Sequence, residues 1–537
     1  MSGLGKGITT SSLAKLLQLS SLRVTCVKVD PYLNFDAGTM NPIAHGEVFV
    51  TDDGGETDMD IGNYERFLNE DLSKDNNITT GQVYRKVIED ERKGKYLGRC
   101  VQIIPHITDE IKRRIRELGR NSAADVVVIE CGGTVGDIES QPFIEAFRQM
   151  RLEDGMQNTF FIHVTLAPQL DAVGEMKTKP TQHSVQELRR IGIQPDLIIV
   201  RGSKALPKEA REKIALFTSV PTDSVISNPD VDSIYHVPEA LYKEGILGPV
   251  ASHLRLRLRK TDLASWKRVA SRFSDASEAM TIAMVGKYVT LMDSYVSVNH
   301  ALHHAAAANG VGVDIRWVES EDFEKDPSRL MGLDSVDGIV LPQGYGQRGT
   351  EGKIAAANYA RLNGIPLLGL CFGFQLSIVS FARNVLGLPD ANSTEINPDT
   401  ANPVIDLLPE QRGLDELGGT MRLGGHDITV DRPSEAYDVY GTRTIRGRHR
   451  HRFELNQSYM ERFEKAGMRF SAFSDGGRRA EILEIPAHPF YMGTQFHPEY
   501  VSRPEAPEPI FVAFMRAATK DSRRERRLKA QVQRATA

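Results

Sequence analysis

Met1-Ser2-Gly3-Leu4-Gly5-Lys6-Gly7-Ile8-Thr9-Thr10-Ser11-Ser12-Leu13 opens the chain, a glycine-rich loop that runs directly into a helix with no strand before it. Glycine backbones admit close approach of phosphate oxygens, the amides at a helix start donate to them, and Lys6 adds positive charge. Gly7 follows the lysine where a Ser or Thr is usual, so the loop reads either as an irregular phosphate-binding loop or as a plain turn. Its surroundings bear on the choice. From residue 1 to about 250, apolar runs at 24–29, 101–104, 126–131, 160–166 and 197–200 alternate with helical stretches at 9–19, 107–118, 143–150 and 182–191. Strands apolar almost throughout are buried on both faces, and the alternation predicts a doubly wound parallel sheet.

Ligands of such sheets sit at the carboxyl ends of the strands. Two glycine-rich acidic segments, Asp52 to Asp60 (DDGGETDMD) and Glu130 to Glu139 (ECGGTVGDIE), suit that place, and the second follows an apolar run. Carboxylates repel a polyphosphate unless a hard cation lies between them, so the pattern points to a Mg2+-nucleotide site, although any one of these acids alone reads as a solvated loop residue. Lys177-Thr178-Lys179-Pro180-Thr181-Gln182 is a basic loop entering a helix, suited to a second phosphorylated ligand or to a solvated charge cluster.

Basic helical stretches at 253–260 (HLRLRLRK) and 266–273 mark a linker, after which the alternation restarts with strands at 282–285, 313–317, 338–341 and 366–370 and a helix near 296–308. The run at 366–370 leads into Cys371-Phe372-Gly373-Phe374-Gln375 and a helix, which puts the Cys371 thiol near a helix N-terminus, where its pKa falls. Gln495-Phe496-His497-Pro498-Glu499 offers a base and a carboxylate to orient it. A lone cysteine reads as a small buried hydrophobe; with the strand-to-helix turn and the His-Pro-Glu segment it reads as the nucleophile of a triad.

The 537 residues carry 66 Lys and Arg against 71 Asp and Glu, a net charge of −5, with 40% hydrophobic residues. This excludes collagen-like, disordered and membrane compositions and argues against a dedicated nucleic-acid binder. No long apolar run or secretory signal is present, so a cytoplasmic protein with no membrane partner is expected. Cys26, Cys100, Cys131 and Cys371 are scattered too widely for a disulfide framework or a paired-cysteine zinc site.

The strings SGLGKG, DPYLN, HGEVFV, DNNITTG, GGTVGDIES, KTKPTQHS, DVDSIY, NSTE, RHRHRFE and FHPEY, in this order, make the chain resemble the CTP synthase family from residue 2 to about 518. The resemblance implies an N-terminal P-loop-type amidoligase (synthetase) domain over 1–250, a linker over 251–280, a class I glutamine amidotransferase α/β domain over 281–520 and a basic tail over 521–537. It implies a ligase of pyrimidine biosynthesis: ATP with Mg2+ phosphorylates the uracil 4-oxygen of UTP, and ammonia released from L-glutamine crosses an internal channel to displace the phosphate. No organic cofactor is implied. GTP as activator, with Arg348 and 448–452 as its neighbourhood, CTP as feedback inhibitor and a homotetramer whose UTP site draws on more than one subunit are implied.

Position by position, the resemblance assigns Cys371, His497 and Glu499 to catalysis. Gly3, Leu4, Gly5, Lys6, Gly7, Ile8, Lys28, Asp60, Pro229, Asp230 and Val231 fall to ATP, with Asp60 and Glu130 as metal ligands. Ser2, Asp137, Ile138, Glu139, Lys177, Thr178, Lys179, Pro180, Thr181, Gln182 and Lys213 fall to UTP or CTP. Gly344, Phe372, Gly373, Phe374, Gln375, Glu395 and Arg450 fall to glutamine. Two departures stand out. Gln343 replaces the first of two glycines in a loop whose amide helps form the oxyanion hole, and reduced though not absent glutaminase activity is expected, through strain at a positive φ that mis-aims the donor. The family carries about a dozen residues before SGLGKG, including a central strand, so a truncated or mis-started chain with exposed neighbouring strands is expected. The alternatives are a catalytically impaired subunit or filament protein, or another P-loop amidotransferase.

Overall fold

The structure, a computed structural model, describes residues 3–170, 175–274, 276, 278–289, 291–408, 411 and 420–519, so Ser2 and the basic tail lie outside the described residues. The chain divides into two units, Met1–Ala37 with Asp60–Ser274, and Gly38–Met59 with Asp275–Ala537. Among the described residues no helix is long and apolar enough to cross a membrane.

In the first unit, helix α1 (Lys6–Leu19) starts after Gly5, whose φ of +82° is a conformation that glycine adopts freely. Strand β1 (Val24–Asp30) is buried at every position and lies between two parallel neighbours, β2 (Asn77–Thr79) and, after α2 (Thr108–Asn121), β3 (Val126–Cys131). A second parallel sheet follows α3 (Gln141–Asp154): β4 (Ile162–Leu166), then α4 (Lys179–Arg190), β5 (Leu197–Gly202) and β6 (Val225–Pro229), ordered β6-β5-β4. Helix α5 (Leu247–His253) closes the series.

No strand joins the two sheets among the described residues. Instead residues of β3 and β4 line a common cavity of about 780 Å3, together with side chains that include Leu13 of α1, Ile115 of α2, Ile144 of α3 and Val250 of α5. Most of β3 is only half-buried, in contrast to β1 beside it. The strand expected at 101–104 does not form: Ile103–Ile107 is a helical turn leading into α2, and Ile103 and Ile104 are about half exposed. Pro105 lacks the N–H that a strand must give to a ladder. The short, polar β2 escaped the apolar pattern; it is preceded by Asn76, whose Nδ2 donates to the Cys26 carbonyl at 2.7 Å.

The second unit is built on β7 (Ala279–Gly286), α6 (Val296–Ala308), β8 (Gly312–Glu319), β9 (Gly338–Leu341), α7 (Thr350–Asn363), β10 (Leu367–Leu370) and α8 (Phe372–Asn384). Strands β11 (Arg422–Val430), β12 (Thr444–His451), β13 (Arg469–Ser474), β14 (Arg479–Glu484) and β15 (Tyr491–Thr494) extend it. Together they make one nine-stranded sheet, β8-β7-β9-β10-β15-β14-β13-β11-β12, parallel as far as β15 and antiparallel beyond. Alternate residues feed two cores: Leu367 packs with Ile354 and Leu376 on one face, and Leu368 with Val298 and Phe514 on the other.

Segment Gly38–Met59 belongs to this unit although more than 200 residues separate it from β7 (Ala279–Gly286) in sequence order. Its short hairpin, Phe49–Val50 with Glu56–Thr57, is held by Arg446, whose Nε lies 2.8 Å from Asp52 Oδ1, and by Arg448, which donates to the Val50 carbonyl at 3.1 Å. Tyr500 adds a bond from its hydroxyl to the Val48 carbonyl at 3.0 Å.

Candidate active sites

In the first unit the loop and the carboxylates meet. A Cβ at Gly7 would lie 2.0 Å from Asp60 Oδ1, so only glycine lets the carboxylate approach this close. Lys28 on β1 pairs with Asp60 and has Glu130 Oε1 at 3.6 Å and Asp30 Oδ1 at 3.8 Å; the Tyr64 hydroxyl donates to Glu130. Burial pushes the Asp60 carboxyl up, but the Lys28 ammonium outweighs it and holds the group below the usual range. Lys6 Nζ reaches the Gly133 carbonyl at 3.2 Å, at the carboxyl end of β3.

Arg201 connects another part of the candidate ATP set, pairing with Asp230 Oδ1 at 2.7 Å and donating to the Pro229 carbonyl at 3.1 Å, with its Nε beside Gly5. Gly3 is left-handed, Leu4 lines the slot, Ile8 packs with Phe67 and Tyr235, and Val231 is half-exposed.

Of the candidate UTP residues, Asp137 accepts the Thr134 N–H at 2.7 Å, and Ile138 and Glu139 lie exposed on the turn Ile138–Ser140. Lys177 leads into α4, whose first turn holds Lys179, Pro180, Thr181 and Gln182; Gln182 Nε2 donates to Thr178 Oγ1 at 3.1 Å. Thr181 is fixed to Thr165 of β4 at 3.0 Å, while Lys213 is exposed on the helix Lys208–Thr218. No group of three His, Cys, Asp or Glu suited to a metal occurs among the described residues, so a cation here would rest on the Asp60 and Glu130 pair.

In the second unit β10 turns sharply into α8 at Cys371, whose φ is +50° and ψ −97°. This left-handed, strained position points to a functional role for the turn. The Cys371 N–H donates to the Thr494 carbonyl at 2.7 Å, and a Cβ at Gly373 would lie 2.0 Å from the Leu341 carbonyl, so α8 presses against β9. Gln495 Nε2 approaches Cys371 Sγ at 3.7 Å and is itself set by Gln375, which donates to Gln495 Oε1 at 3.3 Å and to the Phe453 carbonyl at 2.7 Å.

His497 Nδ1 sits 2.7 Å from Glu499 Oε1, with the ring stacked on Tyr500; Nε2 is buried without an ordinary hydrogen-bond partner among the described residues. Burial opposes protonation of His497, yet Glu499 and Cys371 together push it up to about 10. A cavity of about 100 Å3 is lined by Cys371, His497, Gly344, Phe372, Gln375, Glu395 and Arg450; Gly373 and Phe374 instead face the core behind it. Burial raises the Glu395 carboxyl, which accepts the Gly346 N–H at 2.6 Å. Arg450 is engaged by Glu56 Oε1 and the Gly38 carbonyl, each at 2.8 Å. Of the neighbourhood expected for GTP, Arg448 is buried and Arg348 is half-exposed and paired with Glu321 at 3.0 Å.

The loop after β9 corrects one expectation. Gln343 is not among the residues with positive φ, so the strain that was to weaken this site does not arise. Its side chain donates from Nε2 to Glu47 Oε1 at 2.8 Å, and Glu47 Oε2 accepts the Ser297 N–H at the start of α6. Lys287 holds the Tyr345 and Gly346 carbonyls at 2.5 and 2.8 Å, and Lys353 holds the Pro342 carbonyl at 2.8 Å. Neither lysine was singled out in the sequence, since each looks like an ordinary surface charge there; Gln495 had a signal, standing two residues before His497.

Residues 1–256 match the family model described as CTP synthase N-terminus, and residues 290–517 match that of glutamine amidotransferase class-I. The chain is 56% identical over 521 residues to a CTP synthase of Thermococcus kodakarensis, covering 97% of each, and 52% identical over 525 residues to one of Archaeoglobus fulgidus, covering 98% of each. A solved Trypanosoma brucei CTPS glutaminase domain with bound acivicin is 38% identical, covering 44% of this chain and 93% of that one at a TM-score of 0.42. Two family models matched in order and curated relatives above half identity over nearly the whole length agree: this chain belongs to the CTP synthase family and is a glutamine-hydrolysing enzyme of it.

Proposed function

We propose that each unit performs one half of the reaction with the residues gathered above. In the second unit Cys371 Sγ, its proton already passed to His497 Nε2, attacks the carboxamide carbon of glutamine. Collapse of the tetrahedral adduct breaks the carbon–nitrogen bond, His497 returns the proton to the leaving nitrogen, and ammonia departs from a thioester that water cleaves to glutamate. Glu499 holds the imidazole and favours its charged form. Glu395, half-buried in the pocket wall, suits the ammonium of the glutamine backbone, with Gly344, Phe372 and Gln375 shaping the cavity.

In the first unit Gly3 to Ile8 cradle the ATP phosphates, Lys6 and Lys28 balance their charge, and Asp230 and Val231 border the adenine. Asp137 to Glu139, Lys177 to Gln182, Lys213 and Ser2 receive UTP, or CTP as inhibitor. Asp60 and Glu130 offer hard oxygen donors that Lys28 already draws together, a set that fits Mg2+ bound by one or two carboxylates and phosphates. The cation would screen the triphosphate there. Activation by GTP near Arg348, a homotetramer and a cytoplasmic setting accord with the family.

The observation that carries this reading is that one chain holds both constellations, each assembled within its own unit. Neither alternative gains support from the relatives. Purified chain given UTP, ATP, Mg2+ and glutamine should yield CTP, glutamate and phosphate in equal amounts; glutamate without CTP, or no product, would contradict it.

A further inference from the structure

Lys353 is fully buried on α7, an unusual place for an ammonium unless something holds it. Its Nζ donates to the Pro342 carbonyl at 2.8 Å and lies 5.6 Å over the Phe372 ring, beside Lys287 at 4.7 Å from the same ring. The Pro342–Gln343 peptide is not among the cis bonds, so its carbonyl and the Gln343 N–H lie in one plane and point in opposite directions. Fixing the carbonyl therefore fixes the direction of that N–H. No acceptor for the Gln343 N–H occurs among the described residues, and Gln343 lines the pocket with Cys371.

The same loop shows the device completed one turn on: Lys287 holds the Tyr345 carbonyl while the N–H of that peptide, belonging to Gly346, points to Glu395. We propose that Lys353 is a positioning residue for glutamine hydrolysis, gripping the Pro342 carbonyl so that the Gln343 N–H is aimed at the oxyanion formed on the glutamine carboxamide. Lys353 touches neither substrate nor thiol. It acts through the peptide, and its ring contact ties that peptide to Phe372, whose own N–H is an orphan donor at the start of α8. The grip also explains how a side chain at position 343 is accommodated: the backbone orientation is set from behind, so Gln343 is free to bond Glu47.

The inference rests on the proposed glutaminase reading. The test compares two reactions of Cys371 in the full chain, hydrolysis of glutamine, which builds an oxyanion, and alkylation by iodoacetamide, a displacement of iodide that builds none. Lys353→Met should lower kcat for glutamine by about 10- to 100-fold with KM within about threefold, as loss of a transition-state contact does. Its alkylation rate should match the parent. An unchanged kcat, or alkylation falling in step with hydrolysis, would overturn the proposal, the second outcome marking a merely structural role. Lys353→Leu supports the same comparison if the methionine variant does not accumulate. If the parent chain itself fails to hydrolyse glutamine, it is the glutaminase reading that fails.

Discussion

The two units follow the same plan of parallel strands between helices and differ in how completely their own residues close it. In the second, nine strands run without interruption, and Cys371, His497 and Glu499 are locked among buried partners. In the first, two three-stranded sheets stand apart among the described residues, and Leu4 and Lys6 of the glycine-rich loop line a cavity of about 780 Å3 between β3 and β4. The contrast teaches that a preformed thiol site needs a continuous sheet behind its turn. A phosphate site, by contrast, rests on a helix N-terminus and a few charges, which survive beside an open seam.

If the halves are chemically separate, Asp60→Asn should lower CTP formation from either glutamine or ammonia by about 10³-fold, because charge balance around the triphosphate is lost. Glutamine hydrolysis should stay within about threefold of the parent; a parallel fall in glutaminase rate would erase the distinction. Glu499→Gln should lower glutamine hydrolysis by about 10²-fold and leave ammonia-dependent synthesis alone.

The same substitution probes the electrostatics. Since Glu499 helps push His497 up to about 10, the stability from this pair is complete below the ordinary imidazole pKa and is lost as pH rises through about 10. An NMR titration of His497 should show its midpoint move down in Glu499→Gln; an unmoved midpoint would mean that Cys371 alone holds the proton.

Hydrogen exchange sharpens the structural side of the contrast. The amides of β3 and β4 that face the seam should exchange about 10-fold or more faster than those of β9 and β10. Uniform protection through all four would show that a strand fills the seam in solution. The smallest effect is expected at Gln343→Gly: with no positive φ to relieve and the backbone N–H retained, kcat for glutamine should change by no more than about threefold.

Much of the fold was legible where burial is two-sided. The run at 338–341 became β9 with the same bounds because a strand buried on both faces has no polar face to blur the pattern; the run at 126–131 became β3 by its apolar, β-branched composition although it is only half-buried, and the helix at 296–308 became α6. The 101–104 run failed because apolar content outweighed Pro105. Long-range placement was illegible: nothing in Gly38–Met59 announces that Glu47, Asp52 and Glu56 bond to Gln343, Arg446 and Arg450. Lys353 was illegible too, since a lysine in sequence says nothing of a buried carbonyl three-dimensionally opposite it.

The central claim, that one unit supplies ammonia and the other spends it on UTP, is tested most directly by Cys371→Ala assayed for CTP with each nitrogen source. The account predicts that glutamine-dependent synthesis disappears while synthesis from added ammonium at alkaline pH matches the parent. Retained glutamine-dependent CTP formation, or loss of both, would contradict it.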